Sequence, residues 1–318
     1  TNQRWVDAFR DAMQPIAYLL DDPNITNVML NPPLTRAETR GPVFVKMVDG
    51  RLVRTDLMLE TDVAIKMLRR LIDPNERLSL NEENPELRCR AGIYRLEGSL
   101  DPIVHGAAFT IRKHTHSRRT LDDYVTSNII SQAQASWLRA QIRCGATVLV
   151  GGPTDSGKTT LLNALVQIAS ESGKRILTIE DTSELMRPNA LAIQLFTNKT
   201  SFSTRDAVQA AMRHNPQCIV VGEVRDVAAA LEAVKAWRTG HPGLATIHAG
   251  GCEEMLERMH DLCEEEHRTR PEMIARTINV CVHIVAVPQS PRVVTIEQVQ
   301  GFDRKEERFL LQRIGGTT

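Results

Sequence analysis

The chain has 318 residues, 42% hydrophobic and 25% charged, which is enough for two domains and excludes a disordered or fibrous chain. Its 39 basic and 39 acidic residues cancel, and neither residues 1–119 (18 basic, 16 acidic) nor residues 120–318 (21 and 23) carries a marked excess; attraction to a polyanion through bulk charge is excluded. Of the basic residues 31 are Arg and only 8 are Lys. Two readings of that bias stand: codon usage, or arginines placed for planar recognition of phosphate and carboxylate.

The six cysteines, Cys89, Cys144, Cys218, Cys252, Cys263 and Cys281, contain no CxxC pair, which fits a reduced chain better than a disulfide framework or zinc ribbon. Cys263 and His267 have a metal-ligand spacing on a helix, but no second pair accompanies them, and the spacing is taken as chance. No apolar run reaches the length of a membrane span and the start lacks a leader pattern, so a soluble chain is expected, with a trimmed or processed start at Thr1.

In chain order, Trp5, Val6, Phe9, Ala12, Met13, Ile16 and Leu20 recur at three- and four-residue steps and predict one amphipathic helix. Val43–Val48, Asp49-Gly50 and Arg51–Arg54 predict a hairpin with a type I′ turn. Thr61 is the expected N-cap of a helix reaching Leu71. Strands are expected at about Cys89–Leu96 and Val104–Ile111, which makes residues 1–113 a small α+β domain and residues 114–122 a linker. The second domain is expected over residues 123–318, where from about residue 145 onward β-branched runs alternate with helical segments. That pattern predicts an α/β domain with a mostly parallel sheet, closed by strands Val280–Val287 and Val293–Val299 with a turn near Gln289–Pro291.

Gly152-Pro153-Thr154-Asp155-Ser156-Gly157-Lys158-Thr159 fits G-x-x-x-x-G-K-[ST], between a strand run (Thr147–Val150) and a helix pattern starting at Thr159 and Thr160. Glycines let the backbone N–H groups curl onto phosphates at a helix N-terminus. Lys158 is placed to reach the β- and γ-phosphates and the Thr159 hydroxyl to hold Mg²⁺. Asp155 brings a carboxylate near three negative phosphates. Either it points to water from a left-handed backbone, or it weakens nucleotide binding by repulsion.

Three further strand ends carry polar groups: Glu180-Asp181, Gly222-Glu223 followed by Arg225-Asp226, and His248. In such a sheet ligands bind beyond the carboxyl ends of the strands, where an acid can orient water for attack on a γ-phosphate. His241, before its strand, is excluded from the site.

GGPTDSGKTT, ILTIEDTSEL, AAMRHNPQCIVVGEVRD and GHPGLATIHAG, in this order, resemble the four boxes of the secretion (traffic) ATPases, in particular the conjugal-transfer and type IV secretion ATPases of the TrbB type. NITNVMLNPP, AGIYRLEG and FTIRKHTHSRRTLDDYV are similar to that family's N-terminal domain and junction. The resemblance spans essentially the whole chain.

It implies a RecA-like P-loop ATPase domain at 123–318, a smaller PAS-like α+β domain, ATP with Mg²⁺, and a homo-hexameric ring working with components of an inner-membrane secretion or conjugation complex. The implied location is cytoplasmic and peripheral at the inner membrane, without direct nucleic-acid contact. It also makes Glu223 the catalytic acid, Glu180 (with Asp181) the Asp-box acid and His248 the His-box residue, with Arg95 and Arg112 approaching the phosphates. Asp155 departs from the family, which generally has Gly there. Competing readings are a ring scaffold with little turnover, a pilus motor, and a DNA translocase; few aromatic residues and no basic stripe argue against the last.

Overall fold

The computed structural model describes residues 3–35, 37–72, 80–113, 119–181, 184–197, 201–267, 269–286 and 293–315. Its contacts divide the chain into two units that meet in sequence between Thr115 and His116.

The first unit runs α1 (Gln3–Ala12), α2 (Ala17–Asp21), β1 (Ile25–Leu30), β2 (Arg40–Met47), β3 (Leu52–Glu60), α3 (Thr61–Arg69), β4 (Glu86–Ala91), β5 (Tyr94–Leu100) and β6 (Ala107–Lys113). The strands form one antiparallel sheet in the order β3-β2-β1-β6-β5-β4. Phe9, Met13 and Ile16 bury against Val28, Val45, Leu96 and Ile111 on one face of it, and the Phe9 and Tyr94 rings stack at 5.1 Å.

Four sequence expectations change here. The single N-terminal helix is broken by a 3-10 turn at Gln14–Ile16, because Pro15 cannot donate the helical hydrogen bond. The 43–54 hairpin does not use a type I′ turn: Gly50 alone has positive φ (89°), and the bonds Gly50 N–H to Met47 O and Met47 N–H to Arg51 O make a type I turn with a glycine bulge. Glu60, not Thr61, stands at the N-cap of α3, and no side chain caps it. The expected strand Cys89–Leu96 folds back at Gly92 (φ 57°) into the β4–β5 hairpin.

The second unit comprises α4 (Leu121–Thr126), α5 (Gln132–Arg143), β7 (Val148–Gly151), α6 (Lys158–Glu171), β8 (Ile176–Glu180), β9 (Ile193–Phe196), α7 (Thr204–Arg213), β10 (Cys218–Val224), α8 (Val227–Arg238), β11 (Gly243–Ile247), α9 (Cys252–His267), α10 (Pro271–Thr277), β12 (Val280–Val285), β13 (Val293–Asp303) and β14 (Arg308–Arg313). Its sheet has the order β14-β13-β12-β7-β11-β10-β8-β9. All pairings from β12 to β9 are parallel, whereas β13 and β14 close the edge antiparallel. Alternation in the short central strand is hidden because both faces are covered. Val148 and Val150 bury with Leu138, Leu161 and Leu165 on one side, and Leu149 buries with Trp237, Met255 and Leu256 on the other.

Side-chain caps set four helix starts among the described residues, one of them the Asp226 carboxylate accepting the Ala229 N–H at the start of α8. Capping boxes Thr120/Asp123, Ser131/Gln134 and Ser203/Asp206 open α4, α5 and α7, each satisfying amides that helix geometry leaves unpaired. The β14 strand escaped the sequence reading, and the turn expected near Gln289–Pro291 lies outside the described residues.

Candidate active site

Parallel pairing puts the carboxyl ends of β7, β8, β10 and β11 on one edge of the sheet, with β11 between the loop strand β7 and the acid-bearing β10. The loop leaves β7 at Gly151-Gly152 and enters α6 through Gly157, whose φ of 99° serves as the helix N-cap. Gly152 has φ 154°, and a Cβ there would lie 2.1 Å from the Ile284 carbonyl of β12; only glycine lets the loop pass so close to the neighbouring strand. Asp155 takes a left-handed backbone (φ 62°) and is exposed, which agrees with the first of its two readings. Pro153 and Thr154 are exposed, Ser156 is buried, and Thr159 and Thr160 are half-buried in the first turn of α6.

A chain of polar contacts ties these strand ends together. Lys158 Nζ donates to the Gly152 and Pro153 carbonyls (2.9 and 2.8 Å) and lies 3.3 Å from His248 Nδ1. His248 Nε2 lies 2.8 Å from Glu223 Oε1. Arg225 Nε donates to Glu223 Oε2 at 2.6 Å and Arg225 Nη1 to Asp181 Oδ2 at 2.7 Å. Burial pulls the Arg225 guanidinium down, but its bonds to Glu223 and Asp181 outweigh that and hold it above its ordinary value. Glu223 is 18% exposed while His248 is 39% exposed, and Glu223 Oε1 itself is buried beneath the histidine.

Glu180 behaves differently from its neighbour. Its Oε2 accepts the backbone N–H groups of Glu184 and Leu185 (2.7 and 2.8 Å), so the carboxylate holds the backbone that follows β8. Gly222 makes room for it, since a Cβ there would lie 3.1 Å from Glu180 Cβ. His241 sits at the start of β11, against Thr239, at the opposite edge of the sheet.

Within the first unit, Arg95 on β5 and Arg112 on β6 are directly opposed, and Arg90 on β4 opposes Arg95. The same cross-strand row continues through Asn27 on β1 to Lys46 on β2. Four cations thus share one row, which corrects the expectation of no basic stripe: antiparallel register brings together residues that are far apart in the chain. Arg95 Nη2 also pairs with Glu97 at 2.9 Å. Like charges placed directly opposite cost stability by themselves, and a row of guanidinium groups is suited to multivalent anions.

Two further residues of the site were not assigned from sequence: Arg225, for which its position two residues after Glu223 was the signal, and His283. On β12 His283 is paired with Gly151, and it donates to the Ala249 carbonyl just beyond His248. A single polar residue inside the apolar run Val280–Val285 was the available sign. Among the described residues, no cluster of three or more His, Cys, Asp or Glu side chains is arranged to hold a metal ion. Cys263 is buried in α9, which pushes its thiol up to about 12.

Residues 51–310 match the family described as Type II/IV secretion system protein. The conjugal transfer protein TrbB of Rhizobium radiobacter is 32% identical over 309 residues, covering 95% of this chain and 92% of that protein. The chain belongs to this family. As a secretion-family member with the phosphate loop in place, it is an ATP hydrolase of the traffic class. The type IV secretion system protein VirB11 of Bartonella henselae is 24% identical over 296 residues, 80% of each chain. The fold is shared with the Legionella pneumophila ATPase DotB, at a TM-score of 0.64 and 23% identity, over 92% of this chain and 80% of that one.

Proposed function

We propose that this secretion-family chain is the Mg²⁺-dependent ATPase subunit of a conjugation or type IV secretion apparatus, acting as a homo-hexameric ring at the cytoplasmic face of the inner membrane. In this reading residues 1–113 form a PAS-like domain and the second unit a RecA-like domain; the linker expected at 114–122 is shortened at its end, because Leu121 and Asp122 already belong to α4. The contact chain Lys158–His248–Glu223 at the mouth of the phosphate loop carries the proposal. Likeness to TrbB over nearly its full length supports the conjugation assignment. No helix among the described residues is long and apolar enough to cross a membrane.

The donor set suits a magnesium nucleotide. The loop bends through left-handed residues onto the start of α6, the Thr159 hydroxyl stands in the first helical turn, and the Glu223 carboxylate lies on the same sheet edge. Thr159 would hold the ion, which supplies charge neutralisation on phosphate oxygens when bound.

Lys158 neutralises negative charge on the transferring phosphoryl group, together with the loop amides. Glu223 orients and deprotonates the attacking water, and His248 holds Glu223 Oε1 and links it to Lys158. Arg95 and Arg112 are two adjacent cations on neighbouring strands, and a bound multivalent anion would offset the cost of their opposition. Hydrolysis drives the motion of the first domain that the apparatus uses.

The test is ATP turnover by the intact chain. Lys158→Ala abolishes nucleotide binding, and Glu223→Gln lowers kcat by about 10²-fold or more while binding persists. Undiminished turnover in either variant removes the assignment. Light scattering with and without Mg-ATP measures the ring, and a monomer under both conditions removes the hexamer.

A further inference from the structure

Two acids stand side by side at the end of β8, and the structure uses them differently. Glu180 is turned inward onto backbone amides. Asp181 is 51% exposed and pairs with Arg225. The register Ile179↔Val221 makes β8 and β10 adjacent, so Asp181 and Glu223 stand at neighbouring strand ends with Arg225 between them.

The guanidinium fills that gap with three N–H groups. Nε and Nη2 both reach Glu223 Oε2, at 2.6 and 2.5 Å, while Nη1 reaches Asp181 Oδ2 at 2.7 Å. Glu223 Oε1 is left facing His248. Two donors converging on one oxygen pin the place of Oε2, which the single point charge of lysine does less well, and leave Oε1 on the side of His248. Exposed ion pairs contribute little to stability. Asp181 and Arg225 are both about half exposed, so the arrangement is poorly explained as a device for holding the fold.

We propose that Arg225 is a positioning residue for the catalytic acid and that Asp181 is its anchor: the two fix the rotamer of Glu223 so that Oε1 faces His248 and the phosphate loop. Asp181 therefore acts on the reaction only through Arg225. This rests on the reading of Glu223 as the water-orienting acid, and it divides labour within the Glu180-Asp181 pair.

The experiment is a double-mutant cycle in the full-length chain, read as kcat and KM for Mg-ATP, with thermal midpoints recorded in parallel. Wild-type turnover and its loss in Glu223→Gln are measured first; failure at that stage removes the functional reading itself. With that control in place, Asp181→Asn, which is nearly isosteric and surface-exposed, is expected to lower kcat about tenfold with KM within about twofold. Arg225→Ala is expected to lose at least as much, and Arg225→Lys to recover only part of it.

The double variant Asp181→Asn/Arg225→Ala is expected to be no slower than Arg225→Ala alone, because Asp181 has nothing left to anchor. Additive losses in the cycle, or a full return of kcat with Arg225→Lys, overturn the proposal. So does a loss of kcat that tracks the thermal midpoint or is matched by an equal rise in KM.

Discussion

His248 Nε2 lies 2.8 Å from Glu223 Oε1, while the other nitrogen of the same ring lies 3.3 Å from Lys158 Nζ. One imidazole therefore spans Lys158 of the loop and Glu223, from a strand that separates the two in the sheet. His248→Ala removes both contacts and is expected to lower kcat by about 10²-fold. His248→Gln, which can still donate to one side and accept from the other, is expected to recover part of that. Steady-state ATP turnover measures both, and a ring nitrogen without function predicts equal rates for the two variants.

The loop glycine Gly152 is fixed by contact and by backbone. Adding Cβ brings it 2.1 Å from the Ile284 carbonyl at φ 154°, so β12 must move away from β7. Gly152→Ala is expected to lower stability by about 1–3 kcal/mol and to weaken nucleotide binding with it. Gly222→Ala, where Cβ would meet Glu180 Cβ at 3.1 Å, is expected to cost less, because a contact at that distance needs a shift of only a few tenths of an ångström. Thermal unfolding of the two variants checks the order.

The loop and the acids at strand ends were legible because each is a local signal: a fixed spacing or an apolar run that stops at a polar residue. Where long-range register decides, the sequence was silent. Arg90, Arg95, Arg112 and Lys46 are far apart in the chain and meet only because four antiparallel pairings align them. Glu180 was read as the Asp-box acid with Asp181 beside it, yet it is Glu180 that binds backbone amides and Asp181 that reaches Arg225. Arg225 and His283 were visible as residues, but what they touch depends on which strand lies next to theirs. The β4–β5 hairpin was read as one strand because Cys89–Leu96 is interrupted only by Gly92, a residue that tolerates both extension and reversal.

Asp155 offers a direct comparison of the two readings of its charge. It is exposed and left-handed, and an exposed charge acts through water, at about 1 kcal/mol for a 4 Å separation and less beyond that. Asp155→Gly is therefore expected to change kcat by about fivefold or less, with little change in KM for Mg-ATP. A rise of two orders of magnitude in the same assay supports a ring that binds nucleotide and barely turns it over.

His283 carries a pH prediction with a definite sign. Burial holds its imidazole below the ordinary value of 6.5, nearby Lys158 adds to this, and the bond to Ala249 with the charges of Glu254 and Glu297 offsets only part. Its Nε2 is buried without a hydrogen-bond partner among the described residues. A neutral imidazole is thus favoured in the folded state, while the unfolded chain takes up a proton at its normal value. Stability from this group is complete above about pH 6.5 and is lost as pH falls from there toward the folded value, with an upper limit of about 1.4 kcal/mol per pH unit. For a half-buried ring the loss is a fraction of that limit. Denaturant unfolding of wild type and His283→Asn between pH 7.5 and pH 5 measures it: the wild type should fall relative to the variant in the lower half of that range. A constant difference across the range rules out titration of His283 as the source.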